Sequence, residues 1–292
     1  MKSTFSVLTY NVALMRVIVY EPILHVSKRL AALPNALRNV NADMVCFQEL
    51  WHIEHLEFLK EKLGDVYPYI FTILDETDSA YIPGGLAIFS KHEIVAPSGF
   101  ENIEQSIEFN ANIAFHEYFA RKGALAAHVF TPLGYTAIVN THLVAYLVGF
   151  SPNGKWIRRA RAEQISDIVK FVRRIPGDVR LVFGDFNSGP NLSRDNYEFM
   201  LSHGFDDAWT CTRQDATASC HTYDTKNMFN IKDDRHGASD RIDLAFIEKR
   251  NRDMVRVNEC RVVLDDIIVD LGKGKSCPLS DHYGLLTVFS RV

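Results

Sequence analysis

The feature that most constrains this chain is a pattern repeated six times: an apolar strand-like run with a polar or acidic residue at its end. Asn11 follows Phe5–Tyr10, and Gln48-Glu49 follows Met44–Phe47. His142 closes Asn140-Thr141-His142, and Asp185 and Asn187 lie in Gly184-Asp185-Phe186-Asn187. Asp243 ends Arg241-Ile242-Asp243 just as a strand begins, and Asp281-His282 directly precede the last run, Leu285–Phe289. Strand ends and the loops beyond them are where sites are built. Between the runs, helical spacing appears over Ser27–Asn39, Trp51–Leu63, Ala160–Arg174 and Asn196–Ser202. Pro34 is expected to divide or kink the first of these, Gly64 to close the second, and Pro176-Gly177 to stop the third. Further strands are expected at Asp43–Phe47, Leu86–Phe89, Ala124–Phe130, Thr136–Thr141, Arg180–Phe183 and Asp243–Ile247. Many short strands with a few helices between them predict an α/β architecture of two packed sheets with helices outside.

No composition break marks a linker, so residues 1–292 are read as one domain. Hydrophobic residues make up 47% and charged residues 23% of the 292, enough to build a core without disulfides or a structural metal. The net charge of −4 weighs against nucleic acid, since duplex binding draws on a basic surplus. The five cysteines contain no CxxC pair, which argues against zinc and suits buried thiols; a Cys211–Cys220 bridge is the pairing to expect in an exported protein. The first residues read as a strand rather than a secretory signal, and no long uncharged apolar stretch reads as a membrane span. We therefore expect a cytoplasmic or peripheral-membrane monomer, export without an N-terminal signal remaining open.

Taken singly, a carboxylate at a strand end is ordinarily a solvated or turn residue, and a lone His142 ordinarily a satisfied histidine. Six instances together point to chemistry. A phosphodiester is anionic and resists water, so its cleavage needs charge neutralisation, an activated water and help for the leaving group. Glu49 is a candidate hard ligand for Mg²⁺, with Mn²⁺ or another divalent cation as substitutes, and Asn11 a candidate amide ligand beside it. Asp185 and His282 are candidates to orient or deprotonate the water. Asn187 and His142 are candidate donors to the developing oxyanion, and Asp243 is placed to hold the ring of His282.

At these residues the sequence resembles the endonuclease/exonuclease/phosphatase superfamily, which includes DNase I-like nucleases, abasic endonucleases, inositol-phosphate phosphatases and neutral sphingomyelinases. The resemblance runs in order through Leu8-Thr9-Tyr10-Asn11-Val12, Gln48-Glu49, Asn140-Thr141-His142, Gly184-Asp185-Phe186-Asn187, Arg241-Ile242-Asp243 and Ser280-Asp281-His282. It implies a DNase I-like four-layered α/β sandwich, two central mostly antiparallel sheets flanked by helices, and Mg²⁺-assisted hydrolysis. It implies Glu49 as main metal ligand with Asn11 near it. Asp185, Asn187 and His282 would act on water and phosphate, supported by His142, Asp243 and Asp281; Asp281 is grouped with the metal ligands. His282 is preferred as general base, with Asp185 as the alternative.

Within the superfamily, Gln48-Glu49-Leu50-Trp51, Gly84–His92, Lys122-Gly123 and His221-Thr222-Tyr223-Asp224 with Asn227 resemble the neutral sphingomyelinase branch. That likeness implies a phospholipase C-type cut of sphingomyelin or a related phospholipid, with Lys122 neutralising the phosphate oxyanion or, in the plainer reading, exposed at a strand start. Two apolar segments bear on the substrate. Ala13–Leu24 is a candidate lid or bilayer contact, against packing into the core. Leu143–Trp156 follows His142 and is expected to rim the site, which suits a lipid better than a nucleic acid. Lys155, Arg158, Arg159 and Arg161 beyond it either meet anionic headgroups or form a solvated helix face. A nuclease, an inositol-phosphate phosphatase and an idle binding module are the alternatives; the last is disfavoured because every candidate catalytic position is filled.

Overall fold

A computed structural model describes residues 3–16, 21–73, 81–96, 105–109, 120–145, 154–212, 221–231 and 238–292. Two six-stranded mixed sheets pack face to face. The first is built from β1 (Thr4–Asn11), β2 (Met44–Gln48), β3 (Tyr69–Thr72), β4 (Ala87–Ser90), β11 (Val255–Val263) and β14 (Gly284–Arg291), in the order β11-β14-β1-β2-β4-β3. The second holds β5 (Ser106–Glu108), β6 (Gly123–Thr131), β7 (Gly134–His142), β8 (Val179–Asp185), β9 (Phe205–Asp207) and β10 (Asp243–Glu248), in the order β5-β6-β7-β8-β10-β9. A two-stranded ribbon of β12 (Ile268–Gly272) and β13 (Lys275–Pro278) leads into Asp281-His282.

The central strands read as continuous apolar runs because both of their faces are buried. Phe5, Val7, Met44, Cys46, Leu181 and Phe183 alternate into the core between the sheets. Their neighbours Leu8, Tyr10, Val45 and Phe47 turn outward to α1 (Val26–Val40) and α2 (Ile53–Leu63). On the other sheet, Val182, Leu244 and Phe246 turn outward to α3 (Lys155–Arg174) and α4 (Arg194–Ser202). Three apolar layers therefore separate four layers of structure, the DNase I-like α/β sandwich expected from the resemblance. A further short helix, α5 (Ala208–Thr212), puts Trp209 into the middle layer. Pro34 does not divide α1, which is continuous across it. Loss of one helical hydrogen bond and the ring clash costs about 3 kcal/mol. Burying Leu30, Leu33 and Leu37 on the same face gains ~1.5–3 kcal/mol each, so packing wins.

Topology explains why six chain-distant positions meet. Each sheet has one parallel pair, β1 with β2 and β7 with β8, joined through α1 and α3 respectively. Parallel strands end at the same rim, which brings out Asn11, Glu49, His142 and Asp185 together. The strands antiparallel to them begin at that rim: β10 starts with Asp243 opposite Asp185, and β14 is preceded by His282. Of the apolar segment 13–24, Ala13 and Leu14 are buried, Leu24 is exposed, and residues 17–20 lie outside the described residues. Residues 146–153 of the second apolar segment and Cys220 also lie outside them. Cys46, Cys260 and Cys277 are buried. No helix among the described residues is long and apolar enough to cross a membrane.

Candidate active site

Asn11 ties the two sheets together at the rim. Its Nδ2 donates to Glu49 Oε1 at 3.1 Å and to Asp185 Oδ2 at 3.0 Å, while its Oδ1 accepts the N–H of Ala13 at 3.1 Å. In this orientation the amide presents hydrogens, not its oxygen, to the carboxylates. Glu49 leaves β2 in a left-handed conformation (φ 60°), and its side chain keeps 27% of its surface exposed. Below them Gln48 donates to Asn140 Oδ1 at 2.6 Å, and Asn140 donates back to Phe47 O at 2.8 Å and Ala87 O at 3.1 Å. These two amides cross-link the sheets under the site, so Gln48 and Asn140 are framework rather than chemistry.

His142 is fully buried, with Nε2 at 3.4 Å from Asp185 Oδ2 and 3.9 Å from Glu49 Oε1. Among the described residues neither ring nitrogen has a partner of hydrogen-bonding geometry. Gly184 makes this pairing of β7 with β8 feasible: its φ is +152°, and a Cβ there would stand 2.0 Å from Thr141 O. Asp185 Oδ1 accepts the N–H of Asn187 at 2.8 Å. Asn187 itself is left-handed (φ 48°), a conformation that asparagine tolerates well, and donates from Nδ2 to Leu143 O at 3.0 Å. Lys122, buried just before β6, donates to the same carbonyl at 3.1 Å. The exposed placement considered for Lys122 therefore does not hold.

His282 is paired through Nδ1 with Asp243 Oδ2 at 2.9 Å, and its Nε2 faces Asp185 Oδ2 at 3.9 Å. Asp243 is in turn positioned by Thr222, whose Oγ1 accepts the N–H groups of Ile242 and Asp243 at 3.1 and 3.0 Å. Asp281 is half-buried, and its Oδ1 lies 3.1 Å from Ser280 Oγ.

Charge is strongly polarised here. Burial alone would raise the Asp185 carboxyl, but the His282 charge, the His142 contact and the Asn187 N–H outweigh it and hold Asp185 well below the carboxylate range. Burial raises Asp243, an effect only partly offset by His282. Asp281 is raised by burial and by Glu49, against His282 and Arg29. For His282, burial opposes the proton, but Asp243, Asp185 and Asp281 together raise its affinity well above the ordinary imidazole value.

Asp185, Asp243 and His282 offer ligand atoms within 4.8 Å of one another. Within that set, however, His282 Nδ1 and Asp243 Oδ2 already hold each other at 2.9 Å, and all three residues are buried. The half-open Glu49 carboxylate, which leaves room for the water ligands that Mg²⁺ retains, fits a hard cation better.

Other expectations divide. Arg161 is fully buried, donating to Val144 O at 2.9 Å, to Ser193 Oγ at 2.9 Å and to Ala145 O, so it is structural and unavailable to headgroups. Arg159 pairs with Glu163 at 3.1 Å, and Arg158 lies 3.8 Å from Asp195. Arg241 of the Arg-Ile-Asp motif forms a buried bidentate pair with Asp207. Arg29, Asn227 and Asn230 also reach the segment carrying Asp281, and of these only Asn227 belongs to a motif visible in the sequence. The signal for Arg29 lies in its helix: it stands on the apolar stripe of α1 with Val26 and Leu33, where a charge is out of place.

The profile of the Endonuclease/Exonuclease/phosphatase family matches residues 8–282, spanning every motif above. The chain belongs to that family and is a phosphodiester hydrolase bearing an acidic cluster of metal-binding type. No curated protein matches the sequence significantly. Among solved structures, sphingomyelinase C from Streptomyces griseocarneus is similar at TM-score 0.75 and 20% identity, covering 98% of this chain and 99% of that one. A double mutant of beta toxin from Staphylococcus aureus, with bound magnesium ions, is similar at 0.70 and 19%, covering 97% and 98%. TDP2 from D. rerio, complexed with a single strand DNA product, is similar at 0.71 and 18%, covering 99% and 100%.

Proposed function

We propose that this chain is a Mg²⁺-dependent phosphodiesterase of the neutral sphingomyelinase type. It hydrolyses sphingomyelin or a related phospholipid to ceramide, or its equivalent, and a phosphorylated headgroup. The observation that carries the chemistry is the convergence of Glu49, Asp185 and His282: Asn11 and His142 bridge Glu49 to Asp185 within 4 Å, and His282 Nε2 faces Asp185 at 3.9 Å. Glu49, with Asp281 beside it, would hold the cation; Asn11, expected from the sequence as an amide ligand, turns its hydrogens to Glu49 and Asp185 and would instead position those carboxylates. When bound, that cation neutralises phosphate charge and polarises its oxygen. Asp185, kept anionic, can accept the proton of an attacking water; His282, holding its proton and oriented by Asp243, can donate one. Of the two options raised by the sequence, His282 and Asp185, this reading takes Asp185 as the base and His282, facing it at 3.9 Å, as the acid. Asn187, Lys122 and His142 are assigned as donors to the phosphate oxygens; Asn187 and Lys122 already meet at Leu143 O.

For the lipid, the support is the apolar composition of residues 13–24 and 143–156 and the charge; Ala13, Leu14, Leu143 and Val144 at the near ends of these segments are buried. Leu24 is 57% exposed and Trp156 41% exposed at segments adjoining the site, and the chain is net acidic. Residues 1–292 are read as one catalytic domain, monomeric and working at a membrane surface. A DNase I-like nuclease is the second reading, favoured by the full-length likeness to TDP2, whose structure holds a single strand DNA product. Headgroup release from sphingomyelin, phosphatidylcholine and inositol phospholipids, set beside cleavage of plasmid and single-stranded DNA, each with Mg²⁺ and with EDTA, separates them. The lipid reading expects Mg²⁺-dependent phosphocholine release; DNA cleavage with intact lipid would overturn it.

A further inference from the structure

Arg29 is 1% exposed in the first helix, and all five of its N–H groups are used on main-chain carbonyls. Nε donates to Leu24 O at 3.0 Å. Nη1 donates to Val12 O at 2.9 Å and Leu279 O at 3.1 Å. Nη2 donates to Ala13 O at 2.6 Å and Ile23 O at 3.2 Å. These carbonyls belong to three segments: the chain directly after Asn11, the far end of the first loop, and the approach to Asp281-His282. The next two carbonyls are held as well, Ser280 O by Asn227 Nδ2 at 2.9 Å and Asp281 O by Asn230 Nδ2 at 2.8 Å. Ser280 Oγ closes the set by donating to Asn11 O at 2.8 Å. Three consecutive carbonyls ahead of His282 are thus each fixed by a side-chain donor, and Phe229, between the two asparagines, lies under the guanidinium at 5.5 Å.

A guanidinium is costly to bury, and a buried arginine kept for stability usually faces a carboxylate, as Arg241 faces Asp207 here. The hydrogen bonds of Arg29 all go to carbonyls instead. The nearest strong charge on it is that of Asp281, which opposes the burial. An apolar residue would satisfy the stripe of α1 but would leave five carbonyls and three segments without a common anchor.

We propose that Arg29 is a positioning residue of the active site. Its fork fixes Leu279 against Val12 and Ala13, so that Asp281 and His282 stand in register with Asn11 and Glu49, and it locks both ends of the first loop to the same point. Lysine cannot do this, since one ammonium cannot reach five carbonyls in three directions. The inference rests on the placement of Asp281 and His282 in the chemistry, and the test separates the two.

The full chain is compared with Arg29→Met, Arg29→Lys, Asn230→Ala and His282→Ala on bis(p-nitrophenyl) phosphate with Mg²⁺, a soluble diester that leaves lipid docking aside. The melting curve of each variant gives its folded fraction. Misplacing reacting groups by about 1 Å costs about 10²-fold, so Arg29→Met should lose about that in kcat per folded molecule with KM changed less than threefold. Arg29→Lys should recover only part, and Asn230→Ala should lose ~10-fold. Amide exchange in Arg29→Met should quicken at Ser280–His282 before it does in the central strands. Folded Arg29→Met with wild-type kcat overturns the inference; if that variant does not fold, wild-type kcat in both Arg29→Lys and Asn230→Ala does so. Full activity in His282→Ala would instead remove the site reading itself.

Discussion

Asp243→Asn should separate activity from stability in this protein. Asp243 is fully buried; its Oδ2 pairs with His282 Nδ1 at 2.9 Å, and its Oδ1 has no hydrogen-bond partner. A charge-assisted hydrogen bond of this kind is worth ~1.5–3 kcal/mol, which at 1.36 kcal/mol per decade is ~10- to 10²-fold in rate. The amide also stabilises the wrong ring tautomer when its NH₂ faces Nδ1, and the analogous change in a triad costs about 10⁴-fold. The expected fall in kcat is therefore between ~10² and ~10⁴. Stability should fall far less than activity. Burial raises the Asp243 carboxyl above its unfolded value, so above the unfolded carboxyl pKa the fold bears a cost of ionising it that asparagine removes, and this offsets part of what is lost when the His282 proton is deprived of its carboxylate. At pH 7 the variant should stay folded at the assay temperature, so that the fall in kcat is read per folded molecule. Turnover of a soluble diester and a melting curve on the same preparation decide it. A folded variant within threefold of wild-type kcat would refute the role of Asp243, and a loss of activity that tracks unfolding would refute the separation.

Asp207→Asn should behave oppositely: its oxygens accept from Arg241 at 2.6 and 3.2 Å and Tyr197 at 2.8 Å, so the amide strands a buried cation, with a loss of ~3–5 kcal/mol and a melting point lower by roughly 10 °C. Glu49→Gln should raise the Mg²⁺ concentration for half-maximal activity by at least ~10-fold, measured by metal titration; an unchanged metal requirement would refute the ligand assignment. His55 is buried beside His52 and its pKa is lowered to about 4, chiefly by burial, so the unfolded chain binds a proton below the ordinary histidine pKa that the fold excludes until about pH 4. Stability from this group is intact above that ordinary value and is lost as pH falls toward 4; denaturation at pH 7 and 5 should show the wild type losing about 2 kcal/mol more than His55→Leu.

What was legible in the sequence follows the physics of each element. The doubly buried strands β1, β2, β7, β8, β10 and β14 announce themselves, because burial on both faces demands unbroken apolar runs. Strand β11 did not: a bulge between Val257 and Glu259 shifts the alternation, so that Cys260 faces the core while Asn258 and Glu259 are exposed. The three-residue β5 and β9 are too short to carry a period, and they form by pairing with β6 and β10. The residues of the candidate site were legible because a strand ending at the rim has nowhere else to put its terminal polar side chain. Their supports were less so: Thr222 stands in a motif but without sign of what it holds, and Arg29 and Asn230 act on main-chain groups such as Leu279 O and Asp281 O far away in sequence, a kind of partner that leaves no mark in a side-chain pattern. A residue that bonds to carbonyls is recognisable only by what it violates locally. Arg29 violates the apolar stripe of its helix, and that conflict between local pattern and fold is where function is to be expected.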